Sequence, residues 1–222
     1  MKLFLVVLFS FSAFGESLHY SINWPSGLSL GEAILSSTSS STKGHIDSWD
    51  FSLDIDASVP GFVVRDHYTS RASGDFCSSE LTKKFTHGKH KADERITFDQ
   101  SNHTATRDTQ NGGGKWDVPV GPCARDALTF IQFVRRELAQ GRVAPQQDAV
   151  LGAMYNVRVE YTGTQTIKLG DKRVDADRIQ ASIKGPASDV TVEIFFSRDA
   201  ARTPLLVKVP LSLGVFSVEL QP

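Results

Sequence analysis

The sequence has little cysteine, no surplus of charge of either sign and, past its first dozen residues, no long apolar run. Each shortage excludes something. Cys77 and Cys123 are the only cysteines among 222 residues, so the fold does not rest on a framework of staples. It needs none, because a chain this long buries roughly 70% of its unfolded surface. Lys and Arg total 24 against 25 Asp and Glu. That balance argues against nucleic acid as a main partner, since phosphate recognition needs a basic excess. It also offers no polybasic patch for anionic lipid. No later stretch supplies the ~20 apolar residues of a helical membrane span. Motifs that announce a cofactor are missing as well, and none is expected.

What is present begins with a leader. Lys2 precedes the apolar run Leu3–Phe9, which reaches Phe11, and Ala13-Phe14-Gly15 places small residues where a signal peptidase reads. Residues 1–15 are therefore expected to be a cleaved signal peptide, with residues 16–222 forming one β-rich domain. No cysteine sits at the cleavage point, where lipid would be attached. Losing Lys2 takes the formal charge from −1 to −2.

The rest alternates. Leu18, Tyr20, Ile22 and Trp24 are spaced by two, as are Trp49, Phe51, Leu53, Ile55 and Ala57, whose intervening residues include Asp50, Asp54 and Asp56. One apolar and one acidic face is the pattern of an antiparallel sheet wetted on one side. Similar patterns recur to the C-terminus, while Ser36–Ser41 reads as a solvated loop closed by Lys43-Gly44. The period changes once. Leu128, Ile131, Val134 and Leu138 form a helical stripe within 122–138, where Pro122 suits the first helical position and Gly141 and Pro145 stop the helix. The fold class that follows is mainly β. It is a single curved antiparallel sheet or open half-barrel of roughly eleven strands, with the one inserted helix covering an opening.

Candidate chemistry is thin. Gly27-Leu28-Ser29-Leu30-Gly31 spells a nucleophile elbow but lies between a turn and a strand, not between a strand and a helix. Ser40-Ser41-Thr42-Lys43 sits in a serine-rich stretch with no helix to seat it. His87, His90 and Asp93 fall short of the three or four converging ligands of a zinc site, and the aspartates near 50 lie along one strand face. No metal site is expected. A hydrolase would require His19, His67 or His103 to meet a serine and an acid. Cys77 and Cys123 read as a disulfide if the chain is exported, with a lowered-pKa Cys123 thiolate as the alternative. Trp24, Trp49, Phe51, Trp116, Phe130, Phe133 and Phe195 are either core or, in a curved sheet under a helix, lining. On the second reading Trp24, Trp49, Phe51, Phe130 and Phe133 are the cavity-lining candidates.

Several stretches resemble a bacterial family called domain of unknown function 3108. They are Tyr20-Ser21-Ile22-Asn23-Trp24 with Gly31-Glu32-Ala33, Asp126-Ala127-Leu128-Thr129-Phe130 through Arg135, and Phe196 through Pro204 with Gly214. The resemblance implies an exported, periplasmic or envelope-associated protein and carries no catalytic residues with it. The outline is also similar to the half-barrels of periplasmic lipoprotein carriers, which shelter acyl chains under helices. Asp199 and Arg202, inside the last stretch, read as a turn held by a carboxylate–guanidinium pair. The expected function is non-enzymatic binding of an apolar or lipid-like ligand or of an envelope protein. A filled structural module is the alternative.

Overall fold

A computed structural model describes residues 13–42, 45–59, 61–110, 113–186, 188–212 and 214–221. Among them the chain forms one fifteen-stranded sheet and one helix. The first half is a meander of β1 (Ala13–Asn23), β2 (Ser29–Thr42), β3 (His45–Val59), β4 (Phe62–Ser73), β5 (Ser78–His87), β6 (His90–Asp99), β7 (Thr104–Thr109) and β8 (Gly114–Pro119). A two-residue strand β9 (Arg125–Asp126) leads into α1 (Ala127–Ala139) and β10 (Gln147–Val150). A second meander follows: β11 (Met154–Leu169), β12 (Lys172–Gly185), β13 (Ser188–Ser197), β14 (Pro204–Leu211) and β15 (Gly214–Leu220). The halves join through β1 and β15, so β8 and β9 are the two ends of an open sheet. Every pairing is antiparallel except that of β9 with β10.

Alternation decides which face is which. On β3, Phe51 is buried while Asp50 and Asp56 are exposed and ion-paired with Arg71 and Arg65 of β4. The sheet curls so that the inward rows of both halves meet α1. Phe130, Phe133, Val134 and Leu138 pack against Tyr20, Leu35, Phe51 and Phe76 on one side and Val157, Ile179 and Phe196 on the other. A core shared by both halves is what holds the curl, because apolar burial is non-directional and rewards any closure that removes area from water.

Three sequence expectations change. Among the described residues the strands number fifteen, not roughly eleven. Part of the difference is length: β11 continues through Gly163, past an irregularity between Tyr161 and Gly163. Ser36–Ser41 is not a loop but the far half of β2, with Ser37 and Ser39 buried. Ladders to β1 and β3 on both sides satisfy its backbone, and small side chains suit the crowded concave face. The helix starts at Ala127, not Pro122, because Asp126 caps it: the carboxylate accepts the Leu128 and Thr129 N–H groups. Residues 1–12 of the expected signal peptide, like Lys43-Gly44, lie outside the described residues, and Ala13–Gly15 continue β1 against Thr38–Ser40. No helix among the described residues is long and apolar enough to cross a membrane.

Candidate functional site

The helix does not fill the curl evenly. Between α1 and the inner face of the second meander lies a cavity of about 350 Å³. Phe130, Ile131 and Val134 line it from the helix, Val157 from β11, Ile179 from β12 and Ile194 from β13. The 3.6-residue period brings the three helical side chains to one stripe, and the two-residue period of the strands turns theirs inward. The floor is closed, with Ile179 at 0% exposure. The end bounded by Leu151, Tyr155, Ile183 and Val190 is only half-buried. Tyr155 lies over Gly185, opposite which a Cβ would stand 2.3 Å from the ring. All fourteen lining residues are apolar or aromatic, and the volume falls in the usual range for small-molecule sites. A larger depression of about 620 Å³ on the outer face is lined largely by charged side chains such as Asp54, Arg65 and Lys84.

Beside α1 the β9 end of the sheet is stitched to the start of β5 without completing a ladder. Ser78 of β5 donates its N–H to the Ala124 carbonyl at 2.9 Å. The Gln100 amide bridges both segments, donating to the carbonyls of Ser78 and Ala124 and accepting the Ala124 N–H. Cys77 and Cys123 are joined by a disulfide across this seam, with Cα atoms 4.6 Å apart. Asp126 is fully buried there. Besides capping α1, its Oδ2 accepts the hydroxyls of Ser70 at 2.5 Å and Ser78 at 2.7 Å. Burial raises its pKa, against the pull of those hydrogen bonds. Arg125 reaches Gln147 at 2.7 Å and lies 3.9 Å from the Phe133 ring centre. Desolvation, with Arg136 adding repulsion, lowers its pKa to about 10, so it stays charged at neutral pH.

A second polar group sits on the inner face of the first meander. Glu94 is buried between Lys83, at 3.3 Å, and Arg107. Burial alone would push its pKa up, but the two cations hold it below the usual range. Nearby, Asp66 accepts from Tyr68 at 3.1 Å and pairs with His87 at 2.9 Å. Burial, with the Asp66 carboxylate adding to it, raises the Tyr68 phenol.

Of the five cavity-lining candidates only Phe130 lines the apolar cavity. Phe51 stacks on Trp49 at 5.8 Å and both lean on Phe76, filling the space under the other side of α1. Phe133 carries Arg125 and Arg136 against its ring. Trp24 packs edge-on to Phe216 at 4.9 Å, outside the curl. The aliphatic lining was missed because it is assembled from five separate elements, α1 and β10 to β13, and the helical stripe containing Ile131 and Val134 was its only local signal. The Asp199–Arg202 turn exists, but the partners differ from the expectation. Asp199 accepts the N–H groups of Ala201 and Arg202, whereas the Arg202 guanidinium donates to Asp177 at 2.5 Å. None of the three histidines meets both a serine and an acid: His67 pairs with Asp54, His19 touches Ser17, and His103 lies in a turn. His87 turns to Asp66, while His90 lies against Phe85. Ser29 opens strand β2, exposed, without the helix an elbow needs.

The family described as protein of unknown function (DUF3108) matches residues 19–221. The chain belongs to that family. Its span starts within β1 and ends just past β15, so it takes in the whole curl, the seam and the cavity. No curated protein matches the sequence. Among solved structures, a β-barrel-like protein of domain of unknown function DUF1849 from Brucella abortus is similar, with a TM-score of 0.63 at 6% identity, over 92% of this chain and 94% of that one. At that identity the likeness is one of fold alone.

Proposed function

We propose that this DUF3108 protein is an exported, non-enzymatic binder of an apolar or lipid-like ligand, held in the cavity between α1 and β11–β13. The observation that carries the reading is that cavity: about 350 Å³, apolar throughout, closed at the floor and open at one end. A void of that size left empty forfeits dispersion contacts along its whole lining, and an apolar chain restores them without any polar match. The Cys77–Cys123 disulfide supports export, since such bonds persist in oxidising compartments. The alternative, an envelope interaction module with a filled core, draws support from Trp49, Phe51 and Phe133, which pack as core.

The test is lipid extraction and mass spectrometry of protein purified under native conditions, alongside titration with a fluorescent fatty acid. Co-purified lipid, and probe binding abolished by Ala181→Phe, which fills the cavity, are expected. Repeated absence of both lipid and probe binding, or binding indifferent to the filled cavity, would refute the carrier reading.

A further inference from the structure

The free edge of β8 points to a second copy of this chain. Among the described residues β8 pairs with β7 alone, and nothing covers its other side. Two hydrogen bonds set which backbone groups face outward. Val120 donates to the His103 carbonyl and Gln110 to the Asp93 carbonyl, each at 2.8 Å. Antiparallel ladders alternate, so residues 105, 107 and 109 face β8, and residues 114, 116 and 118 face back to β7. The N–H and C=O groups of Lys115 and Asp117 therefore point away from the sheet. Pro119, next in the outward series, has no N–H to leave unpaired.

We propose that two copies pair antiparallel through β8 on a two-fold axis passing at Trp116. In that register Lys115 of each copy stands opposite Asp117 of the other, and these are the residues whose backbone groups are free. Two Lys–Asp pairs then flank a Trp–Trp pair of the close, non-hydrogen-bonded kind, whose Cα atoms lie about 4.5 Å apart. Neighbouring registers fail. An axis at Lys115 sets lysine against lysine. An axis at Asp117 sets aspartate against aspartate and Lys115 against Pro119. An axis between residues pairs outward groups with inward ones and forms no bonds. Trp116 is 49% exposed, a large apolar surface to leave on an unpaired edge. Lysine and proline are the residues that usually guard an edge against indiscriminate pairing; here they select one register. Within its own chain Lys115 already leans on Asp108 at 3.4 Å, and Asp117 accepts from Thr106 at 2.7 Å, so the outer face of the edge is pre-ordered.

Six residues make a small interface, so the dimer is weak and depends on concentration. Sedimentation of the purified chain up to about 500 μM, a concentration at which a sub-millimolar dimer is populated, is the test. Reversible dimers are expected. Lys115→Asp and Asp117→Lys should each weaken association about tenfold or more, since each turns two attractive cross-strand pairs repulsive. Lys115→Asp also faces Asp108 in its own chain, so two further samples separate folding from pairing. The double swap should dimerise again, and an equal mixture of the two single variants should form a mixed dimer that neither forms alone. A monomer at every concentration, a dimer that neither reversal weakens, or single variants that stay apart when mixed would each overturn the proposal.

Discussion

Ser78 and Asp126 hold one another twice: the Ser78 hydroxyl donates to Asp126 Oδ2 at 2.7 Å and accepts the Asp126 N–H at 2.9 Å. Through this exchange the cap of α1 is also the clasp between β5 and β9. A helix terminus normally needs its own N–H groups satisfied and nothing more. Here the same carboxylate satisfies them and ties together strands 48 residues apart.

Replacing Asp126 by alanine removes the cap and strands the hydroxyls of Ser70 and Ser78 in a buried site. The expected loss is about 2–4 kcal/mol, from the cap and the orphaned donors together, read from urea unfolding. The pH dependence has a definite sign. The folded-state pKa of Asp126 is raised, so the stability it contributes is complete below its unfolded value, about 4, and is lost as pH rises through the raised value. The wild-type minus Asp126→Asn difference should therefore grow as pH is lowered from neutral toward that value. A flat difference would show that the carboxyl does not titrate out of range.

Glu94 should behave in the opposite way. Its pKa is held down, so its contribution is present above about pH 4, the unfolded value, and is lost as acid reaches the folded one. Glu94→Gln leaves Lys83 and Arg107 without their shared counter-charge, and breaking a buried pair costs about 3–5 kcal/mol. Unfolding of the variant between pH 3 and pH 7 checks both points. Its stability should fall less steeply with acid than that of the wild type.

The disulfide closes a 46-residue loop, for which loop-closure entropy gives about 4 kcal/mol. Cys77→Ser with Cys123→Ser should lower unfolding stability by about that much at most, since Ser78, Gln100 and Asp126 hold the same seam without it. Reductant should destabilise the wild type and leave the double variant unchanged.

Gly185 tests the mouth of the cavity. A methyl there would stand 2.3 Å from the Tyr155 ring, too close to be absorbed by small shifts. Gly185→Ala should cost about 1–3 kcal/mol as an overpacking change and alter affinity for an apolar probe. Unchanged unfolding and unchanged probe affinity would mean that Tyr155 moves freely aside.

Much of the sheet is legible locally, and the exceptions have physical causes. β3 declares itself because Phe51 and Ile55 alternate with Asp50, Asp54 and Asp56, each acidic residue facing water. β8 does not. Gly114 and Pro119 bracket it, and its strand state comes from its pairing with β7. The serines of β2 follow loop composition until two flanking ladders override it. The start of α1 turns on Asp126, not Pro122, because the side chains that make the cap worthwhile, Ser70 and Ser78, come from distant strands. Asp199 and Arg202 are close enough in sequence to pair, yet Arg202 is drawn to Asp177, which the fold brings alongside. The cavity is the least legible feature, since no single segment contains it.

The adjacency of β1 and β15 carries one last consequence. Tyr20 lies opposite Leu220, so the sheet's central joint unites its most distant strands in sequence, while every neighbouring hairpin is local. Each meander can zip from its own turns, but the middle of the sheet must wait for its last strand. Folding rate should accordingly be governed by that single long closure. A circular permutant that links β15 directly to β1 and opens the chain between Gly121 and Pro122, between the unpaired ends β8 and β9, makes every neighbouring pairing local and should fold faster with the same strand order.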